Sequence, residues 1–247
     1  MFSTDLNCDM GEGIGNDAAI MPFISSANIA CGFHAGGADT MKQTIELALQ
    51  YNVAIGAHPG FADKENFGRV EQQLTDEAYY ELVRIQLHII QKHIDEAGAV
   101  MHHVKPHGAL YNMSAKNYRL ASIIAKAVKD HNPNLILYGL SNSYSIDAAE
   151  TLNIRTASEV FADRTYTDEG TLTPRTQPNA LITNEDESIQ QVLQMITQQT
   201  VNTINNNTIQ VKADTICIHG DGKHAISFAK KIAAALQERG IKITAVQ

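Results

Sequence analysis

Residues 104–112, which read VKPHGALYN, place a lysine, a histidine and an asparagine around a proline and a glycine. Pro106 fixes one backbone torsion and has no backbone donor, and Gly108 tolerates turn conformations that other residues resist, so a strand should end here. A cation and an imidazole held just beyond a strand can bind an anion and transfer a proton. Catalytic groups of α/β proteins lie at such strand ends, which makes Lys105 and His107 candidate site residues.

Five further segments combine polar side chains with glycine or with other turn-forming residues after a short apolar run. They are residues 5–13, 28–36, 56–60, 159–164 and 219–222. The carboxyl ends of parallel strands meet at one face of an α/β protein. We therefore expect all six segments to direct polar groups to one place.

The carboxylates and imidazoles of these segments are the candidates for proton transfer. An imidazole titrates near neutral pH, so His58 or His107 could relay a proton, and Asp9 could accept one from water. For any single histidine the alternative is an ordinary hydrogen-bonded residue of the core or of a loop, but several at one rim favour chemistry. The predicted catalytic residues are Asp9, Glu12, His58, His107, Asp163 and His219.

Binding of an anionic ligand requires cations and hydrogen-bonding groups. Arginine suits the planar recognition of two oxygens, whereas lysine acts as a point charge. Arg164 is the strongest candidate among the arginines, and its alternative role is a structural ion pair with its neighbour Asp163. The predicted binding residues are Asn28, His34, Arg69, Lys105, Tyr111, Arg164, Arg175 and Asp221.

Size and composition limit the class of protein. A chain of 247 residues that is 44% hydrophobic can bury one substantial core, so we expect a single domain over residues 1–247. The formal charge of -8 and the scattered basic residues argue against a nucleic-acid partner. The sequence has neither a basic, apolar leader nor an apolar stretch of membrane-spanning length, which predicts a soluble cytoplasmic protein without membrane contacts.

The cysteines Cys8, Cys31 and Cys217 show no Cys-x-x-Cys spacing. Without a secretory signal, an odd number of cysteines does not indicate a disulfide framework, so we expect reduced thiols in apolar surroundings. Cys31 lies near His34 in the sequence and is therefore a minor candidate for a nucleophile.

Short apolar runs alternate with longer amphipathic patterns, which indicates repeated βα units. Strands are predicted near residues 4–8, 26–31, 53–57, 99–105, 135–140, 155–161 and 214–218, with a possible last strand at 241–246. Helices are predicted to begin at the capping residues Thr40, Thr75, Ser114 and Asn184, and a last helix covers about 224–239.

Residues 163–183 interrupt this alternation with a long loop rich in Thr, Pro, Asp and Arg. We predict that it covers the site, because long loops in compact domains are commonly functional. Residues 200–208 are predicted to be a polar surface connection. Parallel strands with helical crossovers form an open sheet or a closed barrel, and polar groups at nearly every strand end converge more easily around a ring. The predicted fold is therefore an α/β barrel.

Taken together, these motifs resemble those of the LamB/YcsF family over essentially the whole chain. The matching motifs are DLNCDMGE at 5–12, NIACGFHAG at 28–36, GAHPG at 56–60 followed by FGR at 67–69, VKPHGALY at 104–111, EVFADR at 159–164 and HGD at 219–221. Family members usually carry Asp where this chain has Gly37, and a second arginine is common where Val70 stands.

The resemblance implies a distorted (β/α) barrel of about seven parallel strands, similar to glycoside hydrolases and deacetylases. It also implies hydrolysis of 5-oxo-L-proline (pyroglutamate) to L-glutamate with cleavage of ATP, together with 5-oxoprolinase subunits B and C. ATP would be a co-substrate, with Mg²⁺ bound mostly through its phosphates. Residues 11–15 and 220–224 lack the spacing of phosphate-binding loops, so ATP binding follows from the resemblance alone.

Such a reaction has three chemical requirements. A lactam carbonyl is poorly electrophilic, and coupling to ATP is understood as phosphorylation of the amide oxygen. The enzyme then needs cations for the phosphates and the substrate carboxylate, a base for water, and an acid for the departing nitrogen. The predicted arginines can supply the cations, and the predicted histidines and carboxylates can supply the base and the acid.

Two alternatives stand beside this hypothesis. Deacetylases of related fold bind zinc through Asp and His, and Asp9, His58 and His107 could form a similar set, although no compact ligand spacing supports it. The chain would then be a stand-alone metal-dependent carbohydrate deacetylase or amidase. The other alternative is a non-catalytic subunit that presents substrate to its partners.

Overall fold

The structure, a computed structural model, describes residues 2–220 and 225–247. Within these residues, seven parallel strands form a closed barrel in the order β1-β2-β3-β4-β5-β6-β9, with β9 again paired to β1. The strands are β1 Ser3–Met10, β2 Ser26–Ala30, β3 Ala54–His58, β4 Met101–Val104, β5 Ile136–Leu140, β6 Arg155–Phe161, β7 Thr200–Asn202, β8 Thr208–Gln210, β9 Thr215–Ile218 and β10 Lys242–Ile243. The predicted α/β barrel of about seven parallel strands is confirmed.

Helices surround this barrel and connect its strands. They are α1 Asp17–Ile20, α2 Ala38–Tyr51, α3 Asp76–Glu96, α4 Gly108–Lys116, α5 Tyr118–His131, α6 Tyr144–Thr151, α7 Glu185–Gln198 and α8 Ala225–Glu238, with a short 3-10 helix at Met21–Phe23. Within the described ranges, no helix has both the length and the apolar character needed to cross a lipid bilayer.

Helix α3 illustrates how the sequence specifies these elements. The Thr75 side chain accepts a hydrogen bond from the Ala78 backbone N–H, and the acidic residues of the first turn favour the positive end of the helix dipole. Val83, Leu87 and Ile90 form part of its buried stripe. The predicted start at Thr75 is confirmed, and so is the start at Asn184, whose side chain accepts from two backbone N–H groups of α7.

Two predicted helix starts are wrong. Ser114 lies inside α4, where its hydroxyl donates to the Tyr111 carbonyl, and α5 instead begins after Asn117. The Asn117 backbone is extended, which breaks the helix, and its side chain accepts from the Leu120 N–H. Thr40 is the third residue of α2, and its hydroxyl accepts from the N–H of the capping residue Gly37.

Polar side chains alternate with apolar ones along the barrel strands. In β1, Leu6, Cys8 and Met10 belong to the apolar core, whereas Asp5 and Asn7 bond to polar groups of other barrel strands. Successive side chains of a strand point to opposite faces, so the polar set lies inside the barrel. The barrel interior is therefore unusually polar, while the apolar core lies between the strands and the helices.

The long loop 163–183 lies over the carboxyl ends of the barrel strands. Part of it, residues 171–176, lines the cavity there, in agreement with its predicted covering role. The segment predicted as a polar surface connection is instead an antiparallel hairpin, β7 and β8, with Val201 buried. The hairpin supports the loop, because the Ile204 N–H donates to the Tyr166 carbonyl.

Candidate active site

A cavity of about 450 Å³ opens at the carboxyl ends of the barrel strands. The predicted site residues that line it are Asp9, His58, Arg69, Lys105, His107, Tyr111, Arg164, Arg175 and His219. Four further predicted residues do not line the cavity but contact residues that do, namely Asn28, His34, Glu12 and Asp163. Asp221 lies outside the described residues. The expected convergence of distant polar residues is thus observed.

The segment after β4 shows how the sequence positions two of these side chains. The N–H groups of Lys105 and His107 donate to carbonyls of the neighbouring strand region, at 2.9 and 2.8 Å. Pro106 lies between them, where a backbone donor is not needed for this pairing. Gly108 has a φ of +55°, and a Cβ there would lie 2.7 Å from the Gly68 carbonyl oxygen. The chain therefore turns sharply into α4 only with glycine at this position.

Lys105 is buried among acceptors. Its Nζ donates to Asp9 Oδ1 at 2.9 Å and lies 2.8 Å from Glu159 Oε1. It also donates to Asn7 Oδ1 at 3.3 Å and to Cys217 Sγ at 3.1 Å. Burial alone would lower the pKa of Lys105, but the neighbouring carboxylates raise it well above the usual lysine value. Lys105 is therefore a fixed cation and does not exchange protons near neutral pH.

Asp9 is held on both of its oxygens. Oδ1 accepts from Lys105 and, at 2.9 Å, from Asn28 Nδ2, while Oδ2 lies 3.3 Å from His58 Nε2. Burial disfavours the carboxylate, but the charges of His58 and Lys105 outweigh it and hold the pKa of Asp9 well below its usual range. Asp9 is thus an ionised and weakly basic group, better suited to orient its neighbours than to take a proton from water.

Three imidazoles pack together beside Asp9. His58 Nδ1 lies 2.7 Å from the Lys105 carbonyl oxygen, and His107 Nε2 lies 2.9 Å from the Phe67 carbonyl oxygen. The other two nitrogens of these rings, His58 Nε2 and His107 Nδ1, are 2.8 Å apart. The His34 ring stacks on His107 with centroids 3.7 Å apart and an angle of 4°. Burial lowers the pKa of both His34, to about 2, and His107.

His219 and Asp163 form a second pair at the cavity. His219 Nδ1 lies 2.9 Å from each Asp163 oxygen, and both side chains are partly accessible, at 13% and 17%. Burial would raise the pKa of Asp163, but His219 and the two nearby arginines lower it. The alternative ion pair predicted between Asp163 and Arg164 is therefore replaced by a carboxylate-imidazole pair.

Arg164 has a different environment from the one predicted. Its guanidinium is buried and donates to the carbonyl oxygens of Thr173, at 2.6 Å, and Ala180, at 3.2 Å. Burial and the charge of Arg175 lower the pKa of Arg164 to about 10. Arg164 therefore holds the covering loop in place through these hydrogen bonds, and its side chain also lines the cavity. Arg69 and Arg175 are exposed cations at the cavity rim.

The sequence interpretation missed several polar residues that complete the site. Glu159 binds Lys105 and accepts from Asn7 Nδ2 at 2.9 Å, and His103 Nε2 lies 2.8 Å from Asn28 Oδ1. A period-two pattern of polar residues, Asp5-x-Asn7-x-Asp9 in β1, could have indicated an inward polar stripe. The candidate nucleophile Cys31 is buried, which raises the pKa of its thiol to about 12 and makes the thiolate rare at neutral pH.

Comparison with known proteins places the chain in context. The LamB/YcsF family model matches residues 4–247. The chain is 52% identical over 251 residues to the A subunit of 5-oxoprolinase from Bacillus cereus (strain AH187), with 99% of both chains covered. It is 50% identical over 251 residues to the A subunit of 5-oxoprolinase from Tolumonas auensis, with 100% of both chains covered.

Solved structures agree with this likeness. The lactam utilization protein from Thermus thermophilus superimposes with a TM-score of 0.92 and 36% identity, covering 99% of this chain and 100% of that one. A family 4 carbohydrate esterase from Streptomyces lividans has a TM-score of 0.55 and 12% identity, covering 100% of this chain and 93% of that one, which is a likeness of fold alone. On the family match and the full-length identity, this chain belongs to the LamB/YcsF family.

Proposed function

We propose that this protein is the A subunit of an ATP-dependent 5-oxoprolinase. It would hydrolyse the lactam of 5-oxo-L-proline to L-glutamate with cleavage of ATP, acting together with subunits B and C. The observation that carries the proposal is the full-length identity of about half the residues to proteins named as the A subunit of 5-oxoprolinase. The polar cavity at the barrel mouth supports the placement of the chemistry on this chain.

His219 is the proposed general acid and base. Asp163 accepts from its Nδ1, which orients the ring and leaves Nε2 as the nitrogen that exchanges a proton with the substrate or with water. His219 lines the cavity and is partly accessible, unlike the fully buried His34. A group of this kind can activate the attacking water and then protonate the departing lactam nitrogen.

Arg69 and Arg175 are the proposed anion-binding groups. They extend from two different loops at the exposed rim, so they can bind the substrate carboxylate and the phosphates of ATP. Mg²⁺ would enter with the nucleotide. Tyr111 lines the cavity wall beside them and can contribute further polar contact.

Lys105, Asp9 and Asn28 are proposed to position other groups. Lys105 already forms ion pairs with the carboxylates of Asp9 and Glu159, and Asn28 donates a hydrogen bond to Asp9. This network fixes the orientation of His58 and holds a defined charge beneath the cavity. A preorganised arrangement of this kind stabilises developing charge without reorganisation.

Reconstitution tests the proposal. The purified chain is mixed with subunits B and C of the same organism, 5-oxo-L-proline, ATP and Mg²⁺, and glutamate release is measured with each component omitted in turn. We expect release only from the complete mixture, and His219→Asn should lower kcat by roughly 10²- to 10⁴-fold, the usual contribution of a general acid or base. The control His88→Asn changes an exposed residue of α3 and should leave kcat unchanged.

Other results would support the alternatives. No glutamate release from the complete mixture would overturn the proposed activity. Release of acetate from an acetylated sugar by this chain alone, without ATP, would favour a stand-alone deacetylase. If His219→Asn weakened assembly but left turnover intact at saturating partner concentrations, the chain would be one that presents substrate to its partners.

A further inference from the structure

A group of four potential metal ligands lies at the wall of the cavity, which His58 and His107 line. One donor atom from each of Glu12, His34, His58 and His107 lies within 4.8 Å of all the others. Glu12 Oε1 is 3.6 Å from both His34 Nε2 and His107 Nδ1. The four side chains are almost completely buried, so their donor atoms face one another with little access to bulk water.

The hydrogen bonds of two histidines determine which nitrogens carry protons. A backbone carbonyl can only accept, so His58 Nδ1 donates to the Lys105 carbonyl and His107 Nε2 donates to the Phe67 carbonyl. If His58 carries no second proton on Nε2, the atom that faces Asp9 Oδ2, then His58 Nε2 and His107 Nδ1 are both lone-pair nitrogens. They nevertheless lie 2.8 Å apart, and two lone pairs at this distance repel unless a cation lies between or beside them.

This arrangement is typical of metal-binding histidines. In such sites the ring nitrogen that does not bind the metal usually donates to a backbone carbonyl or a carboxylate, which fixes the tautomer and the ring orientation. Both His58 and His107 meet this condition through carbonyl groups. Their unprotonated nitrogens are thereby directed to one point.

His34 provides an independent observation. Its side chain is fully buried, yet neither ring nitrogen has a hydrogen-bond partner among the described residues. Buried polar atoms without a partner are rare in native proteins and require an explanation. A metal ion bound to Nε2, which faces Glu12, would supply the interaction that this nitrogen lacks.

Two glycines hold the stacked rings of His34 and His107 in place. A Cβ on Gly60 would lie 2.8 Å from His34 Nδ1, and one on Gly68 would lie 2.7 Å from His34 Cβ. The same two positions would bring a Cβ within 3.2 Å of His107 atoms. The backbone therefore packs directly on the rings, which covers Nδ1 of His34 and leaves Nε2 as its ligand atom.

We propose that Glu12, His34, His58 and His107 bind one divalent transition metal ion of the zinc type. Three imidazole nitrogens and one carboxylate oxygen form a ligand set that suits zinc and its neighbours. For bonds of about 2.0–2.1 Å, tetrahedral ligand atoms are separated by roughly 3.3 Å. This is close to the 2.8 Å between His58 Nε2 and His107 Nδ1 and to the 3.6 Å that separates Glu12 Oε1 from His34 Nε2 and from His107 Nδ1. The inference does not depend on which reaction the cavity catalyses.

This set differs from the one expected from the sequence, Asp9 with His58 and His107. Oδ1 of Asp9 already holds Lys105 and Asn28, and only Oδ2 approaches His58 Nε2. Asp9 is therefore placed next to the ligand set as a neighbouring charge, while Glu12 takes the anionic ligand position and His34 adds a third imidazole.

Metal binding to the isolated chain tests the inference. The full chain is purified with a tag that contains no histidine, stripped with a chelator, and dialysed against Zn²⁺ or Co²⁺. We expect one equivalent of metal per chain by elemental analysis and, for Co²⁺, the intense visible absorption of a low-coordinate ion. A wild-type chain that retains no stoichiometric Zn²⁺ or Co²⁺ overturns the proposal and implies a shared proton between His58 and His107.

Variants locate the ion. Glu12→Gln keeps the side-chain size and removes the charge, and His107→Asn removes one imidazole. Each should weaken Zn²⁺ binding by at least the roughly 10- to 100-fold that loss of a supporting contact costs in metal sites. The control His88→Asn, on the exposed face of α3, should bind like the wild type. Wild-type affinity in both Glu12→Gln and His107→Asn would overturn the proposal.

Thermal unfolding separates loss of the site from loss of the fold. Zn²⁺ should raise the Tm of the wild type and of His88→Asn, because a ligand of the folded state stabilises that state. Glu12→Gln, shown to be folded by circular dichroism, should show a much smaller rise. An equal rise in folded Glu12→Gln would count against the assigned ligands.

Discussion

The two ends of the barrel interior use buried carboxylates in opposite ways. Asp5 and Asp9 lie four positions apart on β1, and both are almost fully buried. Asp5 accepts hydrogen bonds from four hydroxyl groups, those of Ser25 at 2.5 Å, Ser26 at 2.8 Å, Tyr138 at 2.9 Å and Thr215 at 2.6 Å. Asp9 instead lies between a lysine and a histidine, at the edge of the cavity.

The pKa shifts of these two carboxylates have opposite signs. Burial raises the pKa of Asp5, and its hydroxyl partners offset this only in part. Burial acts on Asp9 in the same sense, but the charges of His58 and Lys105 reverse it. Burial alone therefore does not identify a functional carboxylate, because the type of partner decides whether the carboxylate is charged and whether it can influence a ligand.

His103 separates the two ends. Its ring stacks on Tyr138 with centroids 4.2 Å apart, and its Nε2 lies 2.8 Å from Asn28 Oδ1. A Cβ on Gly56 would lie only 2.1 Å from the same ring, so glycine is required for the imidazole to fill the barrel at this level. The interior between the hydroxyl network of Asp5 and the charged network of Asp9 is thus packed, and the cavity ends above it.

The end of the barrel interior at the cavity, with the charged network of Asp9, is called the upper end, and the end with the hydroxyl network of Asp5 the lower end. The largest expected effect comes from removing the cation of the upper network. Lys105→Met keeps an apolar stem of similar length but leaves the carboxylates of Asp9 and Glu159 buried without their lysine. Loss of one partner of a buried ion pair costs about 3–5 kcal/mol, so we expect a decrease of this size in the free energy of unfolding. Urea denaturation at neutral pH measures it.

The matched control for this change is Lys42→Met. Lys42 is half-exposed in α2 and lies 3.7 Å from Glu96, an ion pair of the surface type. Such pairs contribute about 0–1 kcal/mol, so this variant should remain close to the wild type. Equal and small losses in both lysine variants would show that the upper network does not depend on its cation.

A smaller effect is expected at the lower end. Tyr138→Phe removes one of the four hydroxyl donors to Asp5 and should reduce the free energy of unfolding by about 0.5–1.5 kcal/mol, the net value of a hydrogen bond. Glutamate release by the reconstituted complex should be unchanged, because Tyr138 lies away from the cavity.

Tyr111→Phe is the matched change at the upper end, where the tyrosine lines the cavity. We expect it to alter kcat or KM for 5-oxo-L-proline. If Tyr138→Phe lowered activity as much as Tyr111→Phe, the assignment of structure to one end and chemistry to the other would be contradicted.

The sequence predicts the upper end better than the lower end, for a physical reason. Lys105, His107 and His219 follow apolar runs and stand beside proline or glycine, and parallel strands bring all such ends to one face. Local patterns therefore suffice to gather them. The partners of Asp5 lie 20 to 210 positions away, and only the register of the closed barrel brings their hydroxyl groups to one carboxylate.

The same limit explains which site contacts were not predicted. Glu159 belongs to the motif at 159–164, but its pairing with Lys105 joins the ends of β4 and β6, which both pair with β5. The sequence offers an ion pair between Asp163 and its neighbour Arg164 as the alternative role of Arg164, since adjacency is visible in a sequence. In the fold, Asp163 faces His219 and Arg164 faces the carbonyls of the covering loop, because successive side chains point in different directions.

The smallest expected effect, and the most specific one, is a pair of opposite pH dependences. Asp5 has a pKa raised above 3.8 by burial, so its contribution to stability is greatest below pH 3.8 and decreases as the pH rises through the folded-state pKa. Asp163 has a pKa lowered below 3.8 by His219, despite burial, so its contribution is present above pH 3.8 and decreases as the pH falls through the folded-state pKa.

Urea denaturation of the wild type, Asp5→Asn and Asp163→Asn between about pH 3 and pH 7 measures both dependences. The difference in unfolding free energy between the wild type and Asp5→Asn should become less favourable to the wild type as the pH rises. The corresponding difference for Asp163→Asn should become more favourable over the same range. Slopes of the same sign would contradict the comparison, since they would mean that hydroxyl partners and a charged partner set the ionisation of a buried carboxylate in the same way.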